Sequence, residues 1–192
     1  MFKWFKTSTI DPLSVSMAGA KLGDRVLIVG CSDPSLIAAL AAKTGLTGRT
    51  CAVDESLEAA NKAGKVALSE GVLVETSRAT LTALAFEDSS FDLVVLRDVL
   101  GRGEHSPDAV ASEAGRVLRP GGRCLVIDTT ARSGLAGILG GQPAPADRAV
   151  DPVAVLTSQD FVAARVLAER EGLRFAEAVK KNAGTLNRDT QP

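Results

Sequence analysis

Tyrosine is absent from the 192 residues, and histidine and tryptophan occur once each. Without a tyrosine there is no phenol to serve as the proton donor at a hydride-transfer site, which weighs against a nicotinamide-dependent oxidoreductase. Cysteine is sparse too: Cys31, Cys51 and Cys124 show no metal-ligand spacing, so no metal site is expected. Each sits in or beside an apolar run, as buried free thiols of a reducing, cytoplasmic compartment do. No apolar stretch reaches the roughly 20 residues of a membrane span. Residues 1–6 are aromatic and basic but too short for a signal peptide; they suit packing on the domain or contact with a membrane surface. Neither sign of charge is in excess. The formal net charge of −1 gives no bulk field toward nucleic acid or anionic lipid.

What is there reads as one globular domain with a substantial core. Strand-like apolar runs, each bounded by turn residues, alternate with helical stripes. Strands are predicted over 25–29, 50–53, 72–75, 91–96 and 123–128, with helices over 34–43, 57–69 and 107–118. Asp33 is placed to cap the first of these helices and Pro34 suits its first turn. Residues 120–122 form a tight turn into the fifth strand. Segment 131–150, rich in Gly, Ala and Pro, reads as a flexible connection with a possible helical turn at 135–139. Beyond it, a helix over 152–158 precedes a stretch that fits either a strand or a helix over 160–171; a hairpin with 173–180 is preferred. The organisation is an N-terminal extension (1–20), a single domain (21–182) and a tail (183–192). Alternation of this kind argues for a parallel sheet covered by helices on both faces.

In such sheets ligands bind beyond the carboxyl ends of the strands. Three candidate positions fall there. Gly30 allows a sharp turn and close approach of the backbone, and the helix after Asp33 offers unpaired N–H groups to a carboxylate or phosphate. Asp54, 24 positions on, is placed to accept both hydroxyls of a ribose, although a solvated turn aspartate beside Glu55 fits the same position. Arg97 and Asp98 follow the fourth apolar run, as residues facing a reacting group or as a surface pair. His105 lies on the next loop and is either solvated or a general base.

Taken together, Arg25-Val-Leu-Ile-Val-Gly-Cys31, Ala52-Val-Asp-Glu-Ser56, Leu84-Ala-Phe86 with Ser90-Phe-Asp-Leu-Val-Val95, and Glu113-Ala-Gly-Arg-Val-Leu-Arg-Pro-Gly-Gly-Arg123 resemble the class I S-adenosylmethionine-dependent methyltransferases, most of all their small-molecule branch. The resemblance covers residues 22–128. It implies a Rossmann-like three-layer α/β/α fold whose seven-stranded sheet is mostly parallel with one antiparallel strand. S-adenosylmethionine is the implied cofactor and a small molecule the implied acceptor. Carried over by position, Gly30 and Ser32 line the methionine side, Asp54 holds the ribose, and Glu55 lies near the adenosine. Thr80 and Leu81 flank adenine, and Arg97 approaches the methionine moiety. The resemblance assigns no catalytic residue, and nothing in the sequence sets the oligomeric state.

The chain departs from the family at Ile28, where an acid is usual, and at Ser32 and Pro34, where glycines are usual. Thr80 replaces the acid that commonly reads the adenine amino group. These changes motivate an alternative reading, a non-catalytic methyltransferase-fold binding or scaffold protein that has lost the cofactor.

Overall fold

The computed structural model describes residues 12–102, 105–130 and 150–182. The expected helical turn at 135–139, the tail at 183–192 and the aromatic-basic residues 1–6 lie outside them. The first element is a helix, α1 (Pro12–Ala18), followed by β1 (Arg25–Val29), α2 (Pro34–Thr44), β2 (Arg49–Asp54), α3 (Leu57–Ser69), β3 (Glu75–Arg78), β4 (Phe91–Arg97), α4 (Pro107–Val117), β5 (Leu118–Thr129), α5 (Pro152–Ser158), β6 (Phe161–Arg170) and β7 (Leu173–Lys180). The strands form one sheet in the order β3-β2-β1-β4-β5-β7-β6. Only β7 runs against the others: it is antiparallel to both β5 and β6, and the remaining pairings are parallel. The seven-stranded, mostly parallel sheet with one reversed strand is therefore present as expected.

Its central strands are buried on both faces, which is why they read as continuous apolar runs. Alternate residues supply two cores. Leu27, Val29, Val53, Val94 and Leu96 pack with α4 and α5 on one face. Val26, Ile28, Ala52, Leu93 and Val95 pack with α1, α2 and α3 on the other. Asp33 caps α2 by accepting from the Leu36 amide (3.0 Å), and Ser56 caps α3 through the Ala59 amide (3.2 Å). The 160–171 segment is a strand of the expected hairpin. Glu171 (φ 59°) and Gly172 (φ 78°) turn it, the two successive positive φ values that a tight hairpin favours.

Three expectations need correction. Ordered structure begins before residue 21, because α1 seats Ala18 in the second core; a seven-residue helix carries too little periodicity to stand out in sequence. The third strand is Glu75–Arg78, not 72–75. It lies at the sheet edge, where Leu73 is 77% exposed and the polar segment makes the ladder with β2, so apolarity marked the wrong register. The fifth strand starts at Leu118. The 120–122 turn is an irregularity within that strand, with Gly121 at φ +70° and the register against β4 shifting between Phe91 and Leu93.

At the amino ends of the strands, Asp92 joins three segments. Its carboxylate accepts from the Arg25 amide (2.8 Å), Arg25 Nε (3.1 Å) and Arg119 Nε (2.6 Å). Burial pushes this carboxyl up, and the hydrogen bonds from both arginines outweigh it and hold the group down at about 2. A depressed carboxylate contributes stability above its unfolded value near 4, and that contribution is lost as pH falls through the folded value. Asp92→Asn is expected to lower stability by about 1–3 kcal/mol at neutral pH in denaturant unfolding. The difference from wild type should close as pH falls from about 4 to about 2; a difference independent of pH would contradict this account.

At the opposite ends, Gly30 has φ +97°, and a Cβ there would stand 2.2 Å from the Arg97 carbonyl oxygen and 2.8 Å from Val99 Cγ1. Both the backbone conformation and the contact with a fixed carbonyl exclude a side chain. Gly30→Ala should cost about 3 kcal/mol or more, read as a lowered unfolding midpoint.

Candidate functional site

The carboxyl ends of β1, β2 and β4 are level with one another, with Val29 opposite both Val53 and Leu96. Gly30, Asp54 and Arg97 follow directly, so the topology alone brings three expected site residues to one edge of the sheet. The Gly30 amide continues the ladder by donating to the Val53 carbonyl (2.8 Å). Gly30 itself is required by its contact with β4, whatever approaches from outside.

Asp54 is 3% exposed. Its Oδ2 accepts from the Cys31 amide (2.7 Å) and its Oδ1 from the Ser56 amide (2.9 Å). These bonds fix the carboxylate between the β1–α2 and β2–α3 turns and offset the cost of burying it. Arg102 Nη1 also lies 3.4 Å from Oδ2. Glu55 is half-buried; its Oε1 is 2.5 Å from His105 Nε2, and its carbonyl accepts from Arg78 Nε (3.0 Å). His105 is thus tied to an acid at the β2 tip.

Leu81 is fully buried in the same core as Val29, Val53, Val99 and Leu100, which makes an apolar wall beside the strand ends. Thr80 is exposed and forms a β-bridge with Ala83. Ser32 is exposed. The start of α2 offers less to an anion than its sequence suggests: Asp33 already occupies the Leu36 amide, its charge opposes an incoming anion, and Pro34 has no N–H.

Arg97 is 9% exposed, which removes the surface-pair reading. Its Nη1 donates to Asp98 Oδ2, to the Ile127 carbonyl (3.3 Å) and to Thr129 Oγ1 (3.3 Å). Its Nε is buried without a hydrogen-bond partner among the described residues, an expensive state for a charged donor. Asp98 adopts a left-handed φ of 52° and is held there by the Thr129 amide (2.6 Å) and hydroxyl (3.1 Å). This turn after β4 sends Val99 and Leu100 into the core and carries the chain on toward Asp54. Arg102 and Thr129, neither legible as site residues in sequence, join the cluster only through folding.

Cys31 adjoins the same carboxylate. Burial, the neighbouring Asp54 charge adding to it, pushes the thiol up to about 12, so it stays protonated and is no nucleophile near neutral pH. Among the described residues no cluster of His, Cys, Asp and Glu has the arrangement of a metal site, and no helix is long and apolar enough to cross a membrane.

The Glu113–Arg123 signature lies behind the site, and its residues work as a scaffold. Glu113 accepts from the Leu84 amide (2.6 Å). Arg116 donates to Glu113 and to the carbonyls of Leu84 (3.0 Å) and Phe86 (2.8 Å). Together they pin the 84–88 loop that holds the apolar wall. The Arg116 bond, opposed by burial, keeps the Glu113 carboxyl below its usual range.

Comparison with known proteins bears on the family and the fold. A family model described as a methyltransferase domain matches residues 27–126. The chain is 30% identical over 115 residues to the ubiquinone/menaquinone biosynthesis C-methyltransferase UbiE of Chromobacterium violaceum, covering 60% of this chain and 47% of that protein. It is 34% identical over 124 residues to the chloroplastic 2-phytyl-1,4-beta-naphthoquinone methyltransferase of Arabidopsis thaliana, covering 60% and 46%. The chain therefore spans about half the length of the curated relatives it matches. The crystal structure of a SAM-dependent methyltransferase from Aquifex aeolicus superimposes with a TM-score of 0.71 at 20% identity, over 88% of this chain and 89% of that one, which shows a shared fold. With more than half of its length inside the family model and the strand order of the fold in place, the chain belongs to the methyltransferase-domain family.

Proposed function

We propose that this domain binds S-adenosylmethionine across the carboxyl ends of β1, β2 and β4 and transfers its methyl group to a small-molecule acceptor. The observation that carries the reading is the buried Asp54 carboxylate, fixed by two backbone amides beside the Gly30 bend in a chain of this family. The residues fit the cofactor part by part. Asp54 retains lone pairs for ribose hydroxyls, with Glu55 alongside. Thr80, exposed next to the buried Leu81, lies on the side proposed for the purine. Gly30 and Ser32 bound the methionine side, with the Arg97 guanidinium at the end of β4 as the nearby cation.

Ile28, one of the departures behind the alternative reading, does not bear on the proposed site. It is fully buried in the core against α2, so the departure from the family's acid is a packing choice on the far side of β1 from the apolar wall. The bound cofactor supplies an electrophilic methyl carbon on a sulfonium. The chain's own part is to hold that group in line with an acceptor and to keep water away. The relatives named for ubiquinone, menaquinone and naphthoquinone compounds support a small-molecule acceptor, and the near-zero net charge supports a site that does not take nucleic acid. Three buried free cysteines are in keeping with the cytoplasm. The domain ends near residue 182 and includes α1, whose Ala18 lies in the second core.

Isothermal titration with S-adenosylhomocysteine, the demethylated product, should give a saturable heat at or below millimolar ligand; folded protein with no heat would remove the proposal. Asp54→Asn, in protein that still unfolds cooperatively, should weaken binding by about 1–3 kcal/mol through lost ribose hydrogen bonds. Unchanged affinity would take Asp54 out of the site.

A further inference from the structure

The acid that a ribose must reach already has a cation on it. Asp54 Oδ1 and Oδ2 each accept one backbone amide, and Oδ2 also faces Arg102 Nη1 at 3.4 Å. The Asp54 side chain is 4% exposed and that of Arg102 39%, so the guanidinium sits on the solvent side of the carboxylate. A vicinal diol needs lone pairs on that side. One residue along, the His105 imidazole holds Glu55. Two side chains from the chain after β4 thus grip two successive acids at the tip of β2.

The placement is built in. The left-handed Asp98, locked by Thr129, turns the chain back over the strand ends, and Val99 and Leu100, each 1% exposed, anchor it beside Leu81. Arg102 follows two residues later, and its backbone amide donates to the Val99 carbonyl (3.3 Å). Its reach to Asp54 therefore starts from a fixed base. The ion pair itself is long and half in solvent, which makes it weak enough to be exchanged for a ligand.

We infer that Arg102 is an internal competitor for the nucleoside: it neutralises Asp54 while the ribose is absent, yields its place when the two hydroxyls arrive, and so sets the affinity of the site. The inference rests on the nucleoside reading of Asp54. It differs from a supporting role, in which Arg102 would stay in place and add to binding, by the sign of the effect of its removal.

The experiment compares wild type, Arg102→Gln and Arg102→Ala by titration with S-adenosylhomocysteine. Arg102→Gln removes the charge from a partly exposed position and leaves both amide bonds to Asp54 intact. It should tighten binding about three- to fivefold, the factor expected for a partly exposed ion pair. Arg102→Ala removes the same charge, should tighten binding likewise, and keeps the test open if Arg102→Gln fails to fold. Neutral adenosine serves as a second probe, because its own binding carries no charge–charge interaction. Raising salt from about 0.05 M to about 0.5 M should tighten adenosine binding to wild type and leave Arg102→Gln unaffected. The imidazole resonances of His105, the chain's only histidine, should shift when either ligand binds wild type. Equal or weaker binding by folded Arg102→Gln, or wild-type adenosine affinity indifferent to salt, overturns the competitor while leaving the cofactor reading standing. No binding by any variant overturns both, and binding by Arg102→Gln alone supports the competitor in its strongest form.

Discussion

A buried carboxylate without a ligand must still be solvated by something, and the way Asp54 is solvated organises this end of the molecule. Two backbone N–H groups, from Cys31 and Ser56, point at its oxygens. They come from the turns that leave β1 and β2, so the single side chain fastens both turns to one point. Charge-assisted bonds of this type are shorter and stronger than neutral ones, and losing the acceptor would strand two donors. The same carboxylate is therefore a structural bolt and the group proposed above for the sugar. Its two duties are compatible because a carboxylate offers about four acceptor directions and the backbone uses two.

The opposite end of the sheet is fastened by similar means. Asp92 joins Arg25 at the start of β1 to Arg119 at the start of β5, and Glu113 with Arg116 anchors the loop before β4. These ion pairs are not isolated surface contacts of little consequence; Asp92, Glu113 and Arg116 also bind backbone groups. That explains why the family signature in Glu113–Arg123 is rich in arginine yet sits away from the strand ends where ligands bind. Its residues hold the loop bearing Leu84 and Phe86 and set the entry of β5, which fixes where β4 ends, and β4 carries Arg97.

Much of this was legible before any coordinates. The central strands announce themselves because burial on both faces demands unbroken apolar runs, and the hairpin turn does so through Glu171 and Gly172. β3 was misplaced by three residues because an edge strand needs no apolar face: Thr76 and Arg78 pair with β2 while Leu73 stays in solvent. Gly30 was legible as a necessary glycine for a reason that the structure replaces, contact with the Arg97 carbonyl in place of an approaching ligand. Arg102 was not legible at all. It is 48 residues from Asp54 in sequence, and only the left-handed turn at Asp98, itself invisible without Thr129 on the neighbouring strand, brings the two together.

The chemistry suits a site with so little acid–base equipment. Methyl transfer from a sulfonium has its leaving group supplied by the cofactor, so alignment contributes more than proton transfer. That permits a chain with one histidine, no tyrosine and an inert thiol beside the cofactor bend to belong to a family of methyltransferases. It also places the weight on cofactor capture. Where α2 begins with a capping aspartate and a proline, little backbone is left to hold an anion. Two arginines stand at this end of the sheet in different states: Arg97 is buried, its Nε without a partner among the described residues, whereas Arg102 is partly exposed and pairs with Asp54.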